Sequence, residues 1–273
     1  PYPPDPRLIF RLNSSYVFES DFERGDDAKG DAFSTDLEVG YRIPISFGWP
    51  NRPGGAWYLR LGARYTRFDF DNEGGLPLPN TLQGIAGVVA LEYLVKGRRV
   101  ILFETLPGVY FEHDISSDAF DIPIKAAIPL ELNDSFAFIV GVSYVGMRSY
   151  PVLPIVGFNW RVNDQWTVRA IPADPRIIYT PRDDLNFWVG GELTGGAFRA
   201  DSRDRRDAKL NNAVLTYSDW RVGAGVTCRC ESLILELSGG YSFQRKFDYH
   251  RAEEGFETDE GAPYVAMEIT ATF

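Results

Sequence analysis

The stretch Phe33-Ser34-Thr35-Asp36-Leu37-Glu38-Val39-Gly40-Tyr41-Arg42-Ile43-Pro44-Ile45-Ser46-Phe47 decides the fold. Phe33, Thr35, Leu37, Val39, Tyr41, Ile43, Ile45 and Phe47 occupy one set of alternate positions, and Ser34, Asp36, Glu38, Gly40, Arg42 and Ser46 occupy the other. A helix, with about 3.6 residues per turn, would mix the two sets within two turns, whereas a strand sends successive side chains to opposite faces. The segment is a strand with one apolar and one largely polar face.

Working outward, the same period recurs almost from end to end. Phe10, Leu12, Tyr16, Phe18 and Phe22 oppose Arg11, Asn13, Ser15 and Glu19; Trp57, Leu59, Leu61, Ala63 and Tyr65 oppose Arg60, Gly62 and Arg64. Further alternating runs lie at 85–95, 101–111, 120–131, 136–144, 152–162, 220–229, 233–244 and 265–273. Two short candidates, Trp166–Ile171 and Arg176–Thr180, flank Pro172-Ala173-Asp174-Pro175, and residues 185–199 look extended but are too glycine-rich for their facing to be read. The pattern predicts fourteen strands, or twelve if the two short candidates do not span. Tight connections (Lys96–Arg99, Asn133-Asp134, Asn163–Gln165, Pro181–Asp184, Cys230-Glu231) alternate with mostly longer polar ones (Glu23–Gly30, Asp71–Asn80, Glu112–Ala119, Ala200–Asn212, Asp248–Gly261). The connections at Gly48–Ala56, Ser149 and Pro172 break this rule.

Composition narrows the class. The 273 residues are 44% hydrophobic and 14% aromatic with 26 Gly and 18 Pro, which excludes intrinsic disorder and favours strands and turns. No run approaches the about 18 apolar residues of a membrane helix. A formal net charge of -10 argues against a nucleic-acid partner, and two cysteines make no disulfide framework. The opening Pro1-Tyr2-Pro3-Pro4-Asp5-Pro6 reads as an extended, proline-stiffened segment, taken here as the mature end of an exported chain. The expected organisation is a periplasmic segment over 1–8 and a barrel over 9–273.

Alternation alone does not say whether the apolar face points inward or toward lipid. Three features favour lipid. Side chains cannot fill a ring of more than about eight strands, so a fourteen-strand ring needs a polar, hydrated or ion-paired interior. Trp49 and Trp57 flank one turn and Trp160 and Trp166 another, as an interface girdle would require. Short turns on one rim and longer polar loops on the other match bacterial barrels. Lipid offers backbone groups no partners, so the sheet must close. The expected fold is all-β: a single transmembrane antiparallel up-and-down barrel of about fourteen strands.

The last stretch, Tyr264-Val265-Ala266-Met267-Glu268-Ile269-Thr270-Ala271-Thr272-Phe273, resembles the terminal strand of bacterial outer-membrane β-barrels. That resemblance implies recognition by the barrel assembly machinery, with Phe273 as the assembly signal. Leu153-Pro154-Ile155-Val156-Gly157-Phe158 and Asn163-Asp164-Gln165-Trp166 resemble an uncharacterised barrel family, and bring no functional residues with them. The implied surroundings are the bacterial outer membrane, with membrane lipids, lipopolysaccharide and envelope proteins as partners.

The inferred lumen face carries Arg11, Arg42, Arg60, Arg64, Lys125, Arg161, Arg221 and Arg229 with Glu19, Asp36, Glu38, Glu92, Glu104, Asp121, Glu131, Glu236 and Glu268. Such a wall suits a hydrated pore or a lumen laced shut by cross-strand ion pairs. The two histidines, His113 and His250, fall in predicted outer loops with no nucleophile motif beside them, so no catalytic site is expected. The acidic runs Glu19–Asp27 and Asp248–Glu260, including Glu253, Glu254, Glu257, Asp259 and Glu260, read as a solvated rim without the spacing of a calcium loop. Asp201–Asp207 mixes both signs and suits a headgroup or partner contact. Cys228 and Cys230 flank Arg229 at a turn, compatible with a strained bridge or two free thiols. No cofactor and no metal is expected. The functional expectation is a passive channel for small hydrophilic solutes; the alternatives are a structural or docking barrel closed by salt bridges, and a soluble secreted β-protein with an apolar interior.

Overall fold

A computed structural model describes residues 7–23, 28–45, 55–73, 75–95, 98–201, 208–249, 252 and 254–273. The alternating runs become fourteen strands in one closed antiparallel ring. They are β1 (Arg7–Asp21), β2 (Lys29–Ile45), β3 (Gly55–Asn72), β4 (Thr81–Val95), β5 (Arg98–Thr105, resuming at Gly108–Phe111), β6 (Phe120–Asp121 and Ile124–Asn133) and β7 (Phe136–Tyr144). The ring continues with β8 (Val152–Arg161), β9 (Trp166–Ala170), β10 (Arg176–Arg182), β11 (Leu185–Arg199), β12 (Val214–Cys230), β13 (Leu233–Tyr249) and β14 (Glu254–Glu257 and Ala262–Thr272). β5 breaks at Leu106-Pro107 and β6 at Ile122-Pro123, where a proline lacks the ladder N–H.

Each strand pairs with its sequence neighbour, and β14 returns to β1 in a register running from Ile9↔Thr272 to Val17↔Tyr264. That pairing removes both sheet edges. Two short candidates that the sequence left open, β9 and β10, belong to the ring. Arg7 and Leu8 already pair with Arg42 and Tyr41, so the first strand starts two residues earlier than the expected boundary; residues 1–6 lie outside the described ones. Side chains set the tight turns: Asn133 Oδ1 accepts the N–H groups of Ser135 and Phe136, and Asn163 Oδ1 those of Gln165 and Trp166.

The apolar faces point out. Val39, Leu61, Val89, Phe103, Val156, Val189, Val222 and Leu237 are exposed on the outer surface. Leu37 and Val39 on β2, Ile124 on β6 and Leu235 on β13 do not meet in a common core, as the soluble β-protein reading would require.

Two bulges change what the outward pattern delivers. On β1, Val17 pairs with Ala32 and Ser20 with Gly30, so one extra residue sits at Phe18-Glu19. On β13, Arg221 faces Ser242 while Trp220 faces Gln244, leaving Phe243 extra. Because the side-chain period is two, one inserted residue flips everything beyond it. Ser20 and Phe22 therefore turn inward on β1, and Arg245, Phe247 and Tyr249 on β13. Phe22, expected on the outer face with Phe18, is buried inside.

Without any slip in register, β3 swaps polarity along its length. Below Tyr65, Leu59 and Leu61 face out and Arg60 and Arg64 face in; above it, Arg67, Asp69 and Asp71 face out and Phe68 and Phe70 face in. The barrel thus has a lower part with an apolar exterior and an upper part, toward the long loops, with a polar exterior and an apolar interior. Exposed Phe18, Phe33, Trp220, Tyr241 and Phe243 ring the level of the swap.

The wall is uneven in height. β1–β4 and β11–β13 run 15 to 18 residues, against 5 for β9 and 7 for β10. Above the low side the tall flanks meet: Phe111 at the end of β5 pairs in parallel with Arg199 at the end of β11.

Candidate functional site in the barrel lumen

The inward residues of β1–β5 form a charged belt. Arg60, 0% exposed, reaches the carboxylates of Glu38 and Glu104 and places Nε 3.2 Å from Glu92 Oε1. Arg42 Nη2 lies 2.8 Å from Glu92 Oε2 and Arg11 Nη1 3.5 Å from Glu38 Oε1. Three arginines thus meet three glutamates around one fully buried guanidinium. Beside them Arg64 Nη2 lies 2.8 Å from Asp36 Oδ2, which also accepts the Thr66 hydroxyl at 2.7 Å.

Across the lumen a second set gathers. Arg221 Nη2 pairs with Asp219 Oδ2 at 2.7 Å, and its Nη1 donates to Ser15 Oγ on β1 at 2.9 Å, bridging β12 to β1. Arg176 pairs with Asp174 and, at 2.7 Å, with Glu236 Oε1, and lies 3.8 Å over the Trp188 ring. Trp188 sits inside because β11 faces inward at Asn186, Trp188, Gly190, Glu192, Thr194 and Gly196, the assignment that the glycine-rich sequence concealed.

The upper lumen is filled by rings. Phe70 packs against Tyr217 and Phe247 at centroid distances of 4.9 Å each, Phe68 against Tyr217 at 5.1 Å, and Phe198 against Phe68 at 5.9 Å. Leu82, Leu210, Leu215 and Tyr249 complete a buried apolar layer. This interior core was not foreseen, since a wholly polar lumen was expected. The readable signal was the alternation of Phe68 and Phe70 with Asp69 and Asp71, which keeps the period but reverses its chemistry.

Between belt and core lies a cavity of about 340 Å³. Asp36, Arg64, Thr66, Glu192 and Arg221 make its polar side, and Phe68, Tyr110, Phe198, Leu106 and Pro123 its apolar side. The β7–β8 connection closes one flank. Asp121 accepts the N–H groups of Gly146 and Met147 at 3.2 Å each, Met147 is buried beside Ala197 and Val214, and Arg148 lines the cavity. Burial alone pulls the pKa of the Arg148 guanidinium downward.

The remaining expected lumen residues are placed less uniformly. Glu268 is half-buried on the inward face of β14. Lys125 and Glu131 fall on the inward register of β6 but are exposed. Arg161 and Arg229 are exposed near the tight turns. Glu19 does not line the lumen: the β1 bulge releases it, and its side chain, 61% exposed, lies 3.6 Å from Lys29 Nζ. Of the expected girdle, Trp160 and Trp166 are exposed. Trp57 is not, being 6% exposed and packed on Tyr93 at 5.1 Å, and Trp49 lies outside the described residues. Cys228 and Cys230 are both free.

His113, with Glu112 and Asp201, brings one ligand atom each within 4.8 Å. The carboxylates are engaged in joining β5 to β11: Asp201 Oδ1 accepts the N–H groups of His113 and Asp114, and Glu112 Oε2 accepts the Asp201 N–H at 2.9 Å. The cluster is a hydrogen-bonded latch over the low wall. His250 lies outside the described residues.

Residues 9–269 match the family described as "Domain of unknown function (DUF6268)". The chain belongs to this family. No curated protein sequence matches it. Among solved structures, the COG4313 outer membrane channel from Pseudomonas putida F1 aligns over 100% of this DUF6268 chain and 97% of its own at 10% identity, with a TM-score of 0.50. A TodX monoaromatic hydrocarbon channel, the deltaS2 mutant, aligns over 100% and 91% at 9% identity, with a TM-score of 0.48. The first likeness bears on fold: the DUF6268 chain has the architecture of a bacterial outer-membrane channel barrel.

Proposed function

We propose that this barrel resides in the bacterial outer membrane and is a passive channel for small hydrophilic solutes, narrow and shut in the conformation described. The observation that carries the reading is the void of about 340 Å³ between the charged belt and the aromatic core. A barrel serving only as a plugged scaffold has no need of a chamber with a charged side, whereas a solute path needs a wetted wall and a constriction that can yield. The experiment is planar-bilayer recording with purified protein, paired with solute-swelling of proteoliposomes. Discrete conductance above the lipid background is expected, and silence in both assays overturns the channel.

A second reading is favoured by a different observation. Arg60 and Glu92 are fully buried, as in a lumen laced shut for structure or docking. This reading predicts that wild type stays silent and that an envelope protein co-purifies after gentle extraction. Under either reading, membrane lipids and lipopolysaccharide surround the outer face and the barrel assembly machinery handles the last strand. Phe273 suits the latter role, since its backbone exchanges hydrogen bonds with Leu8 at the closing seam while its ring is 71% exposed. Phe273→Ala is expected to lower the assembled fraction in cells without altering the folded barrel recovered.

A further inference from the structure

The cavity is lined by an arginine whose Nε the chain leaves without a partner. Arg148 sits in the β7–β8 connection, fixed by the Asp121 bonds to Gly146 and Met147 and by the buried Met147 side chain. Its Nε is buried without a hydrogen-bond partner, and among the described residues its guanidinium makes no ion pair. Arginine keeps its proton, so a half-buried guanidinium without an ion pair is a ready partner for an anion.

Most of the other charges around the cavity are committed. Asp36 serves Arg64 and Thr66, and Arg221 serves Asp219. Asp121 serves the N–H groups of Ile122, Gly146 and Met147. Glu192 stands opposite Arg221 in the β11–β12 ladder, with no ion pair or side-chain hydrogen bond of its own among the described residues. The apolar side, formed by Leu106, Tyr110, Pro123 and Phe198, offers nothing to a bare inorganic ion. A volume of about 340 Å³ is at the small end for a ligand site.

Resting on the channel reading above, we propose that Arg148 is the recognition residue of a lumenal site for small organic monocarboxylates. The planar guanidinium matches the two carboxylate oxygens, and the apolar wall takes the body of the acid.

The test uses the purified full chain and radiolabelled benzoate in equilibrium dialysis. Saturable binding is expected, with benzamide and inorganic phosphate competing poorly. Arg148→Met should weaken benzoate at least tenfold, and Arg148→Lys should restore part of it. Should Arg148→Met fail to fold, the wild type decides: benzoate should protect Arg148 from phenylglyoxal, read by mass spectrometry. Absence of benzoate binding, equal binding of benzamide, an unaffected Arg148→Met or lack of protection each overturns the site. Conductance of the same preparation separates the two claims. A silent barrel that binds benzoate through Arg148 sinks the channel and keeps the site. A conducting barrel indifferent to benzoate does the reverse.

Discussion

Arg60 on β3 and Glu92 on β4 are both 0% exposed, with Nε and Oε1 3.2 Å apart. Arg60 is also the common partner of Glu38 and Glu104, so three carboxylates converge on one guanidinium. Arg60→Ala should destabilise the barrel by about 3–5 kcal/mol, the usual cost of removing one partner of a buried ion pair. Urea titration of folding into liposomes measures it. Arg60→Met should cost nearly as much, because the loss is of charge rather than volume; full tolerance of either variant would show that water reaches the belt.

The ring cluster sets a second prediction. Phe247 touches Phe70, Tyr217 and Phe22 from the inward face created by the β13 bulge. Phe247→Ala should cost about 3–5 kcal/mol, as large-to-small core changes do. If the cluster is the constriction, the same variant should raise single-channel conductance. An unchanged conductance in a working wild-type channel would place the constriction elsewhere.

Gly195 holds φ at +133°, and an added Cβ would come 2.1 Å from the Tyr217 carbonyl oxygen. Gly195→Ala is expected to lose at least about 1–3 kcal/mol from backbone strain alone. Gly191→Ala on the same strand, whose added Cβ would have no neighbour nearer than 3.4 Å, is the control. Equal urea midpoints for the two variants would refute the assignment of strain to Gly195.

The latch gives a fourth. Asp201→Ala removes the acceptor for the His113 and Asp114 amides. Hydrogen exchange should accelerate at 111–114 and 199–201 while the β2–β3 ladder stays protected. Uniform acceleration across the barrel would instead mean that the junction is integral to global stability.

The ring was legible because lipid-type alternation is dense and local: residues 33–47 fix β2 and its facing, and Asn133 and Asn163 mark turns by their side-chain chemistry. The interior core was not. A bulge is one surplus residue with no compositional signature, so nothing at Phe18-Glu19 or Phe243 announces that Phe22, Phe247 and Tyr249 turn inward. The polarity reversal at Tyr65 was available in the sequence, but recognising it requires allowing the apolar face to change sides partway up a strand. Arg148 was beyond sequence reasoning altogether, since its importance lies in the partners it lacks.

In the membrane proposed above, the unequal strand lengths carry a mechanical consequence for the surrounding lipid. β9, with 5 residues, spans ~17 Å along its own axis, about half the hydrocarbon thickness of a typical bilayer. Acyl chains beside β9 and β10 must therefore shorten or splay while those beside the tall flanks need not, which favours a tilted seat and a locally thinned leaflet on one side.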